Sequence, residues 1–485
     1  MCDQAGGKAR KKLTWTGLAL ALALGLALAG CISAPAPASR TAIWAPPDTT
    51  QRADQTWRAL RAARRPDPKC PLALASLSDM ALQNAPATRK AWSEARAASA
   101  QVDQANGYFL PTLAATAGVT RRGIESQPDS FDQGSLAYGP GLQLNYLVIN
   151  FGGGRSAAVE QALQTVYAAN FAFNSAIQNV LLEVAVAYYN RVSAESGVAA
   201  AEASVKDARQ SLDAAQARSD AGLGTQLDIL QTQSSYDESL FNLAGARGLL
   251  RTAQGILVQS VGMPSDTPLA IEAPATEMPV APTQTNLTAL IESAVQRRPD
   301  IAALRATVAA REAAVRVAAA PLWPSLYLNG TLAQDNFEVR GGTPGGQGLQ
   351  DNDWNYSAGA SLQWTLFDGF QTLSAKRAAI ALADAARAQL QRAELLVSDE
   401  VWKRYSDYET AVQKYCFGKS YESSSTAAYN LALNMYQSGL KTILDLLSAE
   451  RQLAQARSQR IAARHSVFTT LAMLAHAVGV MEPEH

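Results

Sequence analysis

The chain has only three histidines in 485 residues, His465, His476 and His485, and none stands at a metal-ligand spacing such as H-E-x-x-H. It contains neither a G-x-x-x-x-G-K-[ST] phosphate loop nor a G-x-S-x-G elbow. Gly222-Leu223-Gly224 lacks the third glycine of a dinucleotide loop. These absences leave no catalytic constellation, so the sequence reads as a non-enzyme with no cofactor and no metal. Net charge is also missing, with 42 basic against 42 acidic residues. Without residues 1–30, which hold Lys8, Arg10, Lys11, Lys12 and Asp3, the balance is 38 against 41, a net of −3. A nucleic-acid partner would require a strongly basic face, so none is expected. No apolar run is long enough to span a bilayer as a helix; the run from Leu18 to Ala29 covers only about a dozen residues.

That short run has a purpose of its own. It follows a basic stretch, Lys8 to Lys12, and residues 1–30 read as a secretory signal peptide. The run ends Leu28-Ala29-Gly30-Cys31, which resembles the lipobox of bacterial lipoproteins, where Cys31 would be acylated and become the new N-terminus. Two acyl chains on one cysteine make a stable membrane anchor. Ile32 in place of an Asp favours the outer membrane. Residues 31–71 then read as a lipidated, extended tether, with Pro35, Pro37, Pro46, Pro47, Pro66 and Pro68.

The rest of the chain is two copies of one unit. Gly222 to Leu230 and Gly439 to Leu447 both read G-L-x-T-x-L-D-x-L, 217 residues apart. In the front part of each copy, Pro86 to Pro111 and Pro299 to Pro324 span equal intervals. Each interval is an Ala-rich helical stretch closed by a proline that ends a helix and opens a strand. Residues 72–263 and 286–481 are the expected repeats, 264–285 a Pro-rich linker and 482–485 a tail.

Two strands are expected in each copy, near 112–122, 138–149, 325–333 and 356–367. In the last of these Ala358, Ala360, Leu362, Trp364 and Leu366 alternate with Ser357, Gly359, Ser361, Gln363 and Thr365, one greasy and one wet face. Polar, Gly-rich loops are expected at 123–137 and 333–355. Turns at Asn150 and Asp368 return the chain to helix, first from about Arg155 to Arg218 and then from Leu227 to Val261, with second-copy twins. Asp213, Glu238, Glu394 and Asp399 read as solvated helix faces. Cys70 and Cys416 are the thiols left after processing, and a bridge between them or two free thiols both remain open.

With this order the chain resembles the TolC family of outer-membrane efflux proteins, in its lipoprotein, NodT-like branch attached to RND pumps. The match rests on Cys31, the helix-to-strand phrases at Pro111 and Pro324, the turns at Asn150 and Asp368, and the G-L-x-T-x-L-D-x-L twins. It implies a mainly α fold with a membrane β-barrel portion. A homotrimer would share a 12-stranded barrel that continues into a long α-helical barrel. It implies a passive duct in the Gram-negative outer membrane, working with a periplasmic adaptor and an inner-membrane RND-type pump. It also implies a periplasmic aperture made by Tyr436, Lys441, Asp445, Arg451 and Asp228, beside the turn residues Gly222, Thr225, Gly439 and Thr442. Helix capping alone is the plainer reading of Thr442 and Asp445. A type I protein-secretion channel, a heavy-metal efflux channel and a structural spacer lipoprotein are the alternatives.

Overall fold

The computed structural model describes residues 71–124, 133–272, 286–340 and 350–481. Cys31, Cys70, the signal peptide and the tether up to residue 70 lie outside the described residues. Each copy opens with two helices in series. In the first copy these are α1 (Leu74–Asn84) and α2 (Pro86–Gly107); in the second, α5 (Leu287–Arg297) and α6 (Pro299–Ala319). Pro86 and Pro299 start their helices, where a missing N–H costs nothing, and the residues before them, Ala85 and Arg298, are extended.

Strands β1 (Thr112–Ile124), β2 (Gln133–Asn150), β3 (Ser325–Arg340) and β4 (Gln350–Gln363) form one antiparallel sheet in chain order. The central pair, β2 with β3, joins the two copies. Register carries the two-faced pattern across all four strands. Leu113 pairs with Leu144, Leu142 with Leu332, Tyr146 with Leu328, and Leu328 with Ala360. The other face pairs Thr112 with Asn145, Gln143 with Thr331, and Thr331 with Ser357, whose hydroxyls are 2.6 Å apart. The strands run further into the expected loops than the sequence suggests, through Ile124 and Arg340 on one side and from Gln133 and Gln350 on the other.

At its other end β4 is shorter than expected. It stops at Gln363, so Trp364 and Leu366 lie outside the strand. The reason is across the ladder: Gln363 pairs with Ser325, and Pro324 before it has no N–H to continue the pairing. Trp364 instead donates its indole N–H to the Leu322 carbonyl at 3.1 Å.

The strand-to-helix turns explain the twin residues Asn150 and Asp368. Asn150 Oδ1 accepts from the Gly154 amide at 3.0 Å, and Asp368 Oδ2 accepts from the Thr372 amide at 2.8 Å. Amide and carboxylate do the same work, satisfying an orphan N–H of the helix that follows. Gly152 lies so close to the second copy that a Cβ would fall 2.4 Å from the Ala320 carbonyl oxygen. Where β2 bulges at Val148, Arg155 donates to the Leu147 and Val148 carbonyls at 2.5 and 2.7 Å.

The long helices α3 (Gly154–Asp220) and α7 (Gln371–Gln437) each have 67 residues, which is about 100 Å of helix. Their partners, α4 (Gln226–Ser260) and α8 (Ile443–Val478), run back. Two twin cores grip the middle of the molecule. Leu77, Ala81, Val180, Val184 and Val261 form one, and Ala294, Ile301, Val397, Val401 and Val478 the other. A third core, of Ala215, Tyr429, Tyr436, Ile443, Leu446 and Leu453, lies near the far ends of α3 and α7. Asp213, Glu238 and Asp399 are exposed, while Glu394 is half-buried and paired with Arg305 at 3.2 Å. Among the described residues no helix is long and apolar enough to cross a membrane.

Candidate functional site: the helix-turn end

The G-L-x-T-x-L-D-x-L twins form the two turns at the ends of α3 and α7. Gly222 and Gly439 take φ of +71° and +78°, which a Cβ would disfavour. The helix ends close the same way in both copies. The Leu223 amide donates to the Arg218 carbonyl and the Leu440 amide to the Met435 carbonyl, both at 2.8 Å. Thr225 and Thr442 then cap the returning helices. Asp228 N donates to Thr225 Oγ1 at 3.2 Å, and Thr225 N donates to Asp228 Oδ2 at 3.1 Å. Thr442 and Asp445 repeat this capping box at 3.3 and 3.1 Å.

Of the five expected aperture residues Asp228 belongs to the capping box of α4, and the other four divide into three groups. Tyr436 is buried beneath the turn, and its hydroxyl has no hydrogen-bond partner. Burial pushes its pKa up, the neighbouring Asp228 charge adds to the rise, and Arg218 opposes it. Lys441 and Asp445 form an exposed pair at 3.7 Å. Hydrogen bonds from the Thr442 hydroxyl and amide, with Lys441 nearby, hold the Asp445 carboxyl below the usual carboxylate range. Arg451 stands apart. It is exposed and lines a cavity of about 730 Å³ between α3, α4 and α8 instead of pairing with Asp445.

Two sets of residues at this end escape a reading of the sequence. Arg218 donates to the Tyr436 carbonyl and, at 3.2 Å, to the Leu223 carbonyl, so it ties both turns together. A cation in the last turn of a helix is a legible signal, since the helix dipole favours it there. Further up, Glu450 of α8 is buried and accepts from Ser211 of α3 and Ser235 of α4 at 2.6 and 2.7 Å. Burial pushes the Glu450 carboxyl above its ordinary range against the pull of those two hydroxyls. Cys416, on α7, is an exposed thiol.

The family model for outer membrane efflux proteins matches residues 77–263 and 290–480. Protein CyaE of Bordetella pertussis is 28% identical over 412 residues, covering 84% of each chain. The pyoverdine export outer membrane protein OpmQ of Pseudomonas aeruginosa is 25% identical over 416 residues, again covering 84% of each. The solved outer-membrane channel OprN superposes with a TM-score of 0.72 at 22% identity, over 93% of this chain and 99% of that one. The two matched segments fall on the two copies, each holding one hairpin and one capped turn, and the chain belongs to the outer membrane efflux protein family.

Proposed function

We propose that this chain, an outer-membrane efflux channel by its family, works as a passive trimeric duct. Three sheets close into one 12-stranded barrel, and the long helices of three chains make a tunnel into the periplasm. The observation that carries this reading is a four-stranded sheet with one apolar face, one polar face and two unpaired outer edges, β1 and β4. Four strands cannot close a barrel, for which about eight is the least. Open edges are not tolerated in lipid. Joining β1 of one chain to β4 of the next removes every edge.

The turns at Gly222 and Gly439 lie at the periplasmic mouth, where Lys441, Asp445 and Asp228 narrow the tunnel and buried Tyr436 supports the second turn from beneath. Cys31 carries the lipid anchor. A periplasmic adaptor and an inner-membrane RND-type pump supply the drive, since the duct performs no chemistry of its own. Small molecules are the preferred cargo, supported by the relative named for pyoverdine export. Cysteines placed on the β1 and β4 edges test the assembly: they should link chains into trimers in cells, and pull-down of the linked species should bring the adaptor and pump. Chains that insert in the outer membrane yet remain unlinked would overturn it, and a co-purifying protein-secretion ATPase would overturn the cargo.

A further inference from the structure

Between Asp207 and Ser211, α3 carries a stretch on which the other three long helices converge. Arg457 of α8 lies 2.6 Å from Asp207 Oδ2, with both side chains less than 20% exposed. Tyr429 of α7 donates its hydroxyl to the Asp207 carbonyl at 2.8 Å. Ser211 donates to one Glu450 oxygen and Ser235 of α4 to the other. Both oxygens of a carboxylate that is only 7% exposed are therefore engaged. Ser211 is nine residues above the end of α3, roughly 14 Å. None of these groups belongs to the aperture.

The duplication supplies its own comparison. The seam between α3 and α8 lies within one chain; in the proposed trimer its twin falls between α7 of one chain and α4 of the next. At the twin positions Ser424 stands for Asp207, Ala428 for Ser211, Gln233 for Glu450 and Leu240 for Arg457. None of these four side chains carries a charge, so the ion pair and the buried carboxylate are not repeated at these positions. Breaking a buried polar knot strands its groups without partners, whereas a seam without a buried charge at these positions parts without that penalty.

We propose that the knot of Asp207, Ser211, Ser235, Glu450 and Arg457 is a fixed fulcrum for the aperture, with Glu450 as its central positioning residue. It holds the seam within each chain, so opening is confined to the turns beyond it and to the seam between chains. This rests on the trimeric duct.

The test uses full-length protein in cells and in planar bilayers. Cysteines at 207 and 457, joined by a short bis-methanethiosulfonate linker, should leave export intact. Cysteines at 240 and 424, joined the same way, should link neighbouring chains and block export. Glu450→Ala should raise basal conductance several-fold in trimers that still resist SDS, and Glu450→Gln, which keeps a hydrogen bond to each serine, should restore the low value. Should Glu450→Ala fail to assemble, the two linked pairs decide the matter alone. The fulcrum is overturned if linking 207 to 457 blocks export as fully as linking 240 to 424, or if linking 240 to 424 has no effect. If the 240 and 424 cysteines never link separate chains, the trimeric reading itself fails.

Discussion

The guanidinium of Arg218 lies over the Tyr436 ring, 4.8 Å from its centre, and donates to the carbonyl of the same residue. One side chain from the first copy thus holds the last turn of α7 by its ring and its backbone together. The twin of Arg218 is Met435, so this tie exists once per chain.

Replacing Arg218 by Met should therefore loosen the second-copy turn. A hydrogen bond from a charged donor contributes about 1.5–3 kcal/mol and a cation–π contact about 0.5–2 kcal/mol. The expected outcome is a several-fold higher basal conductance with trimer stability little changed. Arg218→Lys, which keeps the charge but not the fork, should fall between.

The Thr442 and Asp445 capping box invites a separation of capping from gating. Thr442→Ala should cost about 1 kcal/mol of helix-end stability. Asp445→Asn still caps, so a capping role alone predicts no change in conductance. A role in the aperture predicts a larger ion leak through Asp445→Asn trimers in bilayer recordings. Because the structure sets Arg451 away from Asp445, a silent Arg451→Gln beside a leaky Asp445→Asn is the expected pattern.

How far these features were legible depends on whether their cause was local. The turns were readable because Gly222, Thr225 and Asp228 act within one short stretch that recurs at Gly439, Thr442 and Asp445. The same holds for the strand faces, where period two is written in Leu142, Leu144 and Tyr146. The end of β4 was not readable, because its limit is set by Pro324, just before the facing strand begins. Glu450 was missed for the same reason. Its partners are 239 and 215 residues away, and in sequence it resembles any solvated carboxylate of a helix.

Burial of Glu450 makes a prediction for pH. Its folded pKa is raised above its unfolded value, so its contribution to stability is fully present below about 4.5 and is lost as pH rises through the raised value. Glu450→Gln removes that titration. In thermal melts from about pH 4 to about pH 8, the parent should lose ground to the Gln variant as pH rises. A constant gap would contradict the assignment.

Gly152 gives a test of the junction between the sheet and the helices. A methyl group there meets the Ala320 carbonyl oxygen and Cα at 2.4 and 2.7 Å, backbone that cannot rotate away. Gly152→Ala should cost on the order of 1–3 kcal/mol and lower the temperature at which trimers resist SDS. Gly107→Ala, in open space, is the control.

The faces of the sheet can be tested at Ala358 and Ser357. Arg at Ala358, on the face shared with Leu328 and Leu142, should cost roughly 2–4 kcal/mol in the bilayer, and Arg at Ser357 little. Yield of folded protein in outer-membrane fractions would report the difference, and equal tolerance would argue against a lipid-facing side.

The two long helices have the same number of residues, and both begin from a turn fixed to the one sheet. Their far ends therefore finish level. An insertion in only one of them would lower one ring of turns and leave the other behind, so that Arg218 no longer reached Tyr436. The length of such a tunnel can change only in matched steps, one in each half of the gene, and a lineage that lengthens it must pass through a misaligned intermediate or gain both insertions together.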